Sequence, residues 1–172
     1  MTKAYVLLVC EPGSDDYVIS QLKSVNSVKD AHGTFGTYDV IARLEDPNEE
    51  RLRNDITKQV RRMQKVRATL TLMGDNVGDL FKKNLAQKDK EIVEQYSAQA
   101  YVLIVCEKTK ERQVLQELSK IPEVIEGDSV MGAFDAICKV VAPTYNEILE
   151  IVTKKIRNIK GIKSTTTANV IG

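Results

Sequence analysis

The chain has 172 residues, of which 42% are hydrophobic, and this is enough to form one ordinary domain or two small ones with packed cores. With 25 basic and 24 acidic residues its formal net charge is +1, which argues against direct, tight binding of nucleic acid. Its three cysteines do not make a disulfide scaffold, and no apolar run is long enough to span a membrane, so we expect a cytoplasmic protein with reduced thiols and no membrane partner.

The first part of the chain alternates between strand and helix patterns. Short apolar or alternating runs indicate strands, and apolar residues at helical spacing indicate helices. Ser14, followed by Asp15 and Asp16, is a typical helix start. The predicted elements are, in order, a strand Ala4–Cys10, a helix from Ser14, a strand Val28–Phe35, a strand Asp39–Leu44, a helix over 52–63 and a strand Arg67–Met73.

The same order of elements returns in the second part of the chain. The opening segment Ala4–Glu11 reappears as Ala100–Glu107, and one constant offset aligns the two copies without a gap. The offset also matches Gly36 with Gly132 and Asp39 with Asp135. A repeat of this length is a whole domain, which predicts one domain over residues 3–74 and a second over 99–172.

Residues 75–98 differ in composition from both copies. Four apolar residues within a charged sequence follow helical spacing: Val77, Leu80, Phe81 and Leu85. The pattern predicts a helical linker between the two domains.

Each copy therefore has the order βαββαβ, which predicts the ferredoxin-like α+β fold, a four-stranded antiparallel sheet with two helices on one face. The opening strands are apolar on both faces, although helices can cover only one face. We therefore expect the antiparallel sheets to pair face to face, as in dimeric α+β barrels, either within one chain or between chains.

In both copies, three motifs occur in the same order: an Ala-Tyr-Val-Leu strand, a Gly-x-aromatic-Asp turn and a Thr-x-Thr closing strand. The turns are Gly36–Asp39 and Gly132–Asp135. In this arrangement each copy resembles the ligand-binding (RAM) domain of Lrp/AsnC-type transcription regulators. Those regulators ordinarily carry a helix-turn-helix domain ahead of this unit, whereas here a strand begins at residue 4, so we expect these domains to act without their own DNA-binding domain.

The resemblance implies that a small effector, typically an amino acid, binds near the turns and the closing strands. Glycine allows close approach of the backbone, and carboxylate and hydroxyl groups can bind a polar ligand. The predicted ligand-binding residues are Gly36, Tyr38, Asp39, Thr69, Thr71, Gly132, Phe134, Asp135, Thr165 and Thr167.

These residue types also have purely structural explanations. The Asp39 and Asp135 carboxylates could cap their own turns, and the threonines could reflect strand propensity. Copy two has Gly161 where copy one has Lys65, so the second pocket is the better candidate.

No catalytic motif is recognisable in the chain. His32 is the only histidine, and we interpret it as an ordinary strand residue. Cys10 and Cys106 occupy equivalent buried strand positions and lack metal-ligand spacing, although a soft-metal site near His32 stays an alternative. We therefore predict no enzyme activity, no catalytic residue, no cofactor and no metal.

Together these features predict an effector-binding regulatory protein that acts by oligomerisation, first as a homodimer, or through a relative that carries a helix-turn-helix domain. Three rivals remain: a monooxygenase-like enzyme of the same architecture, a metal-responsive sensor, and a structural assembly module. One histidine and no tryptophan argue against the enzyme.

Overall fold

The computed structural model of the chain describes residues 1–75, the backbone of 81–82, and residues 98–171. It divides into two compact units, Met1–Gly74 with Ile171, and Asp75–Val170. Among the described residues, no helix combines the length and apolarity needed to cross a membrane.

The first unit contains four strands and two helices in the predicted order. The short loops between them hold consecutive elements side by side. The elements are β1 (Thr2–Cys10), α1 (Asp15–Lys23), β2 (Val28–Phe35), β3 (Val40–Asp46), α2 (Glu49–Asn54, continued by a π-helical segment Asp55–Val60) and β4 (Val66–Gly74).

The sheet of the first unit has the order β4-β1-β3-β2, with every neighbouring pair antiparallel. Alternate residues of β1, among them Val6 and Leu8, form one core with Val18, Leu22 and residues of α2. Because side chains alternate along a strand, this alternation defines the helix-bearing face of the sheet.

The second unit repeats this architecture and has one additional short strand. Its elements are β5 (Phe81–Lys82), β6 (Ala98–Cys106), α3 (Glu111–Ser119), β7 (Val124–Met131), β8 (Ala136–Ala142), α4 (Tyr145–Glu150, continued by a π-helical segment Ile151–Ile156) and β9 (Ile162–Val170). The strand order is β9-β6-β8-β7-β5, again antiparallel. The core includes Val102, Val114, Leu118 and Ile148.

The second helix of each unit widens from an α-helix into a π-helix. The Arg61 amide donates to the Ile56 carbonyl, and the Arg157 amide donates to the Val152 carbonyl, each at 2.9 Å and five residues back. Such segments are rare and often lie at functional sites. In both units the widened turn precedes the loop into the closing strand.

The face opposite the helices is also buried on the opening strands. Tyr5 is 2% exposed and Leu7 is 0% exposed, and Tyr101 and Leu103 have the same values. The apolar pattern on both faces of these strands therefore corresponds to burial of both faces. Face-to-face pairing of the two sheets stays a prediction.

The predicted α+β fold with ferredoxin-like βαββαβ units is confirmed. The helix predicted for the linker does not hold at Phe81–Lys82, where the backbone pairs as a strand with Gly127 and Glu126. The helical spacing of the apolar linker residues is a local signal. The free edge of β7 offers backbone hydrogen bonds to this segment, and the apolar pattern of the linker does not reveal such a partner. Val77, Leu80 and Leu85 lie outside the described residues.

Candidate functional site

The Gly-x-aromatic-Asp turns join β2 to β3 and β7 to β8. Gly36 has a φ of 115° and Gly132 a φ of 143°, a backbone region that side chains disfavour. In the first turn the Thr34 hydroxyl donates to the Tyr38 carbonyl at 2.8 Å, and the Thr34 amide donates to the Asp39 carbonyl at 2.9 Å. Glycine therefore occurs here because the turn needs this conformation.

The aspartate that ends each turn holds the end of the neighbouring strand. The Asp39 carboxylate accepts from the Cys10 amide at 2.8 Å, and the Asp135 carboxylate accepts from the Cys106 amide at 2.9 Å. Both amides lie where a register shift interrupts the ladder between the opening and closing strands. A bulge frees a backbone donor, and the carboxylate satisfies it. Each aspartate therefore has a structural role. The amide that its carboxylate caps belongs to another strand, however, and not to the turn itself.

The threonines of the closing strands lie on the helix-bearing faces. Thr69 pairs with Leu8 and Thr71 pairs with Val6, and both partners belong to the helix-side core. In the second unit Thr165 pairs with Ile104 and Thr167 with Val102.

In each unit, the arginine at the end of the π-helical segment contacts a threonine of the closing strand. Arg157 Nε donates to Thr165 Oγ1 at 2.9 Å, and Arg61 Nη2 approaches Thr71 Oγ1 at 3.4 Å. Arg157 and Thr165 line a shallow cleft of about 300 Å³ together with Ile162, Lys163 and Ser164. Cations and hydroxyls of this kind suit an anionic group.

The structure does not bring the predicted turn and threonine residues into one cluster. In the first unit β1 lies between the strand that follows the turn and the strand that carries Thr69 and Thr71. Two strand spacings separate them, roughly 10 Å. A ligand role for these ten residues stays a prediction.

Sequence reasoning missed a row of charged residues on the sheet face opposite the helices. In the first unit Arg43 pairs in register with Asp30 on one side and Tyr5 on the other. Arg43 binds Asp30 at 2.5 Å and Glu45 at 2.8 Å. His32 lies on the same strand and face as Asp30, opposite Ile41, and is half-buried.

The second unit has a row of the same design with different residues. Lys139 pairs in register with Glu126 on one side and Tyr101 on the other, and Asp128 takes the place of His32. Glu126 is 8% exposed and Asp128 is 4% exposed. The sequence did contain a signal for this row. Charged residues occupy alternate positions of a strand whose face is otherwise buried.

The cysteine thiols are buried and unpaired with one another. Burial, followed by the charge of Asp39, raises the pKa of Cys10 to about 11, and burial raises the pKa of Cys138 to about 12. Thiols of this kind are poor nucleophiles at neutral pH. Within the described residues, histidine, cysteine and acidic side chains form no group of three that could hold a metal ion.

Comparison with known sequences finds one family model that matches the second unit. Residues 99–172 match the Lrp/AsnC ligand-binding domain. A Pyrococcus abyssi protein named as an uncharacterized HTH-type transcriptional regulator is 37% identical over 73 residues, which are 42% of this chain and 46% of that protein. A Pyrococcus horikoshii protein with the same description is 36% identical over the same shares. The chain therefore spans less than half the length of these relatives.

Two solved structures share their fold with nearly the whole chain. The siroheme decarboxylase NirDL superposes with a TM-score of 0.70 over 99% of this chain and 71% of its own, at 10% identity. An anthrone oxidase-like protein superposes with a TM-score of 0.58 over 99% of this chain and 91% of its own, at 8% identity. At these identities the likeness concerns the fold alone.

These structural matches correct one prediction. The exclusion of enzyme activity is wrong as an inference, because it relied on one histidine and no tryptophan, while the fold of 99% of the chain is shared with a siroheme decarboxylase. The numbers of histidine and tryptophan residues therefore do not exclude catalysis by a protein of this fold.

Proposed function

We propose that the chain is an effector-binding regulatory protein of the Lrp/AsnC type, with an amino acid as the effector. One observation carries the proposal: the family match covers the whole second βαββαβ unit. The first unit has the same elements and the same strand register. Two effector-binding domains in tandem would couple ligand binding to association with a second copy or with a helix-turn-helix relative.

The predicted site residues keep a place in this proposal. The turn aspartates and closing threonines lie on either side of the opening strand, and the cleft beside Thr165 adds Arg157 and Lys163. An effector carboxylate could bind these cations and the threonine hydroxyl. Because a glycine follows this helix only in the second copy, we expect the second unit to bind more tightly.

A thermal-shift screen of the full chain with the twenty amino acids tests the proposal. A ligand that binds only the native state raises the melting temperature by mass action, so an effector should give a dose-dependent rise. The same ligand should change the mass measured by light scattering. Arg157→Ala should weaken the effect, with Arg61→Ala in the first unit as the matched control. No response to any amino acid, at concentrations up to millimolar, would contradict the proposal.

A second candidate function follows from the full-length fold match. The NirDL structures include a complex with an iron-uroporphyrin III analogue. His32 is the one histidine of the chain, and imidazole is a common ligand of tetrapyrrole iron. We propose as the alternative an enzyme that binds an iron tetrapyrrole and acts on its carboxylates.

Absorbance titration with iron uroporphyrin III tests this alternative. Specific binding should shift the Soret band with saturation, and His32→Ala should abolish the shift while the chain stays folded. Mass spectrometry of the recovered porphyrin would detect the loss of carbon dioxide. An unchanged Soret band would exclude the alternative and leave the regulatory proposal intact.

A further inference from the structure

The second helix of the first unit ends in a group of arginines that the proposed effector cleft of the second unit does not use. Arg61 and Arg62 follow the π-helical segment directly, and Arg67 lies near the start of β4. All three residues are exposed. We call these three residues the arginine patch. Within the described residues none of them forms a salt bridge, and the side-chain hydrogen bond of Arg61 runs to a neutral group, the Thr71 hydroxyl, at 3.4 Å.

Acidic residues do not neutralise the arginine patch. The sequence from residue 56 to residue 74 contains no acidic residue. The two acids nearest to it along the chain have partners of their own, since Asp55 accepts from Gln59 Nε2 at 2.9 Å and Glu11 lies 3.8 Å from Lys65 Nζ. The acids that open α2 lie roughly 15 Å away along the helix, at 1.5 Å per residue. This distance exceeds the Debye length of about 8 Å at physiological salt.

The helix dipole explains only part of this charge. Cations at the C-terminal end of a helix are stabilised by the dipole, but the effect is confined to the last turn. Arg61 and Arg62 lie at that end, whereas Arg67 lies on the following strand. In the second unit the equivalents of Arg61 and Arg67 are Arg157 and Lys163, which line one cleft. Because the two units share one fold, Arg61 and Arg67 lie on one surface as well.

Guanidinium groups without acidic partners suit a row of phosphates. Each guanidinium has a planar fork of donors that matches two oxygens of one phosphate group. The second unit has Arg157, Asn158 and Lys163 at the equivalent positions, and therefore one arginine where the first unit has three. The first unit is the better partner for phosphate for this reason. The net charge of +1 is an average over the chain and does not cancel a local patch at distances beyond the Debye length.

We propose that the arginine patch contacts the phosphate backbone of duplex DNA, without reading its base sequence. The choice of DNA among polyanions rests on the proposed function, in which the chain acts with a helix-turn-helix relative and therefore lies beside the DNA that such a domain binds. The contact is weak, because the net charge of +1 adds no long-range attraction. If the patch neutralises about three phosphates, the affinity falls roughly 40-fold between about 50 and about 200 mM salt.

Fluorescence anisotropy of the full chain with two labelled DNA duplexes of unrelated sequence tests the inference. Both duplexes should bind with similar affinity at about 50 mM salt, and both should show the salt dependence given above. Arg62→Glu should weaken binding about fivefold or more and lower the salt slope by about 1. Arg53→Glu is the matched control, because it makes the same charge change at a cation that already pairs with Glu49 at 2.9 Å. It should leave the affinity within about twofold of the wild type.

Arg62→Lys separates the loss of charge from a loss of fold. It keeps the cation, so it should retain most of the DNA affinity and the wild-type melting temperature. Poly-L-glutamate should bind more weakly than DNA, because its charges are spaced more widely than the roughly 1.7 Å of the duplex.

Three results would overturn the inference. The first is an unchanged anisotropy at low salt, and the second is an equal loss of affinity in Arg62→Glu and Arg53→Glu, which would mean that net charge alone decides binding. The third is equal affinity for poly-L-glutamate, which would make an acidic protein the partner. The proposed function would survive each of them if an amino acid raises the melting temperature in the thermal-shift screen, because that screen contains no DNA.

Discussion

At the residue scale, Asp135 has a structural role that a ligand site alone would not require. Its carboxylate accepts from the Cys106 amide at 2.9 Å, and its own amide donates to the Ile104 carbonyl at 2.8 Å. The Cys106 residue is 4% exposed, so its amide would be left without an acceptor if the carboxylate were removed.

We therefore predict that Asp135→Ala lowers the free energy of unfolding by about 1–3 kcal/mol, the cost of an unsatisfied buried donor. Asp135→Asn retains an acceptor oxygen and should lose less. Urea denaturation at neutral pH measures both values. An unchanged unfolding midpoint for the alanine variant would mean that solvent satisfies the Cys106 amide.

The buried thiols give a second prediction at this scale. Burial, followed by the charge of Asp135, raises the pKa of Cys106 from 9.0 to about 11. The unfolded chain therefore ionises these thiols at a lower pH than the folded chain, and their contribution to stability is complete below pH 9 and is lost between pH 9 and about 11.

Two measurements follow from the thiol pKa values. At pH 8 the native protein should react slowly with a thiol reagent, whereas the urea-unfolded protein should react at once. Denaturation midpoints should also fall between pH 9 and 11, and Cys106→Ser should reduce this fall. Rapid modification of the native thiols would show that they are more accessible than their burial indicates.

At the element scale, the loop before each closing strand adopts one conformation with two different residues. Lys65 has a φ of 72° and Gly161 a φ of 101°, and each carbonyl accepts from a strand-end amide, Glu11 or Glu107, at 2.9 and 2.7 Å. The glycine therefore does not give the second copy a different backbone, although it removes a side chain there.

We predict that Gly161→Ala destabilises the chain by about 1–2 kcal/mol, because a left-handed backbone disfavours a side chain. The added Cβ would also lie 3.3 Å from Lys110 Cβ. Lys65→Gly is the matched change in the first unit, where relief of the same strain is offset by unfolded-state entropy, so it should be nearly neutral. Thermal denaturation of both variants tests this. Equal changes of the melting temperature, with the same sign in both variants, would contradict this prediction.

At the scale of the whole molecule, we predict that the chain forms a homodimer. Phe35 and Met131 occupy equivalent positions beside the two glycine turns, and they are 53% and 52% exposed. Association of two chains through these positions would remove both apolar side chains from water.

Light scattering at micromolar concentration should give twice the mass of one chain. Replacing Phe35 and Met131 together with serine should shift the protein toward the monomer, while replacing the exposed Lys58 and Lys154 with serine should not. A single-chain mass for the wild type would refute the dimer.

The sequence by itself determined the order of the elements, the internal repeat and the ferredoxin-like fold. These depend on local signals, such as the apolar run Ala4–Cys10 and the glycine turns, which act within a few residues. The helical pattern of the linker gave the wrong prediction at Phe81–Lys82, because this segment pairs with the free edge of β7.

Only the tertiary structure decided which side chains meet. The Asp39 carboxylate binds an amide 29 residues earlier in the chain, and strand register, not spacing, puts Glu126 opposite Lys139. The repeat made the two copies look equivalent, yet Arg43 is held by Asp30 and Glu45 while Lys139 is not held by Glu126. The physical reason is that a polar contact depends on the identity of its partner across the sheet, and Val141 in place of Glu45 changes that partner without changing the fold.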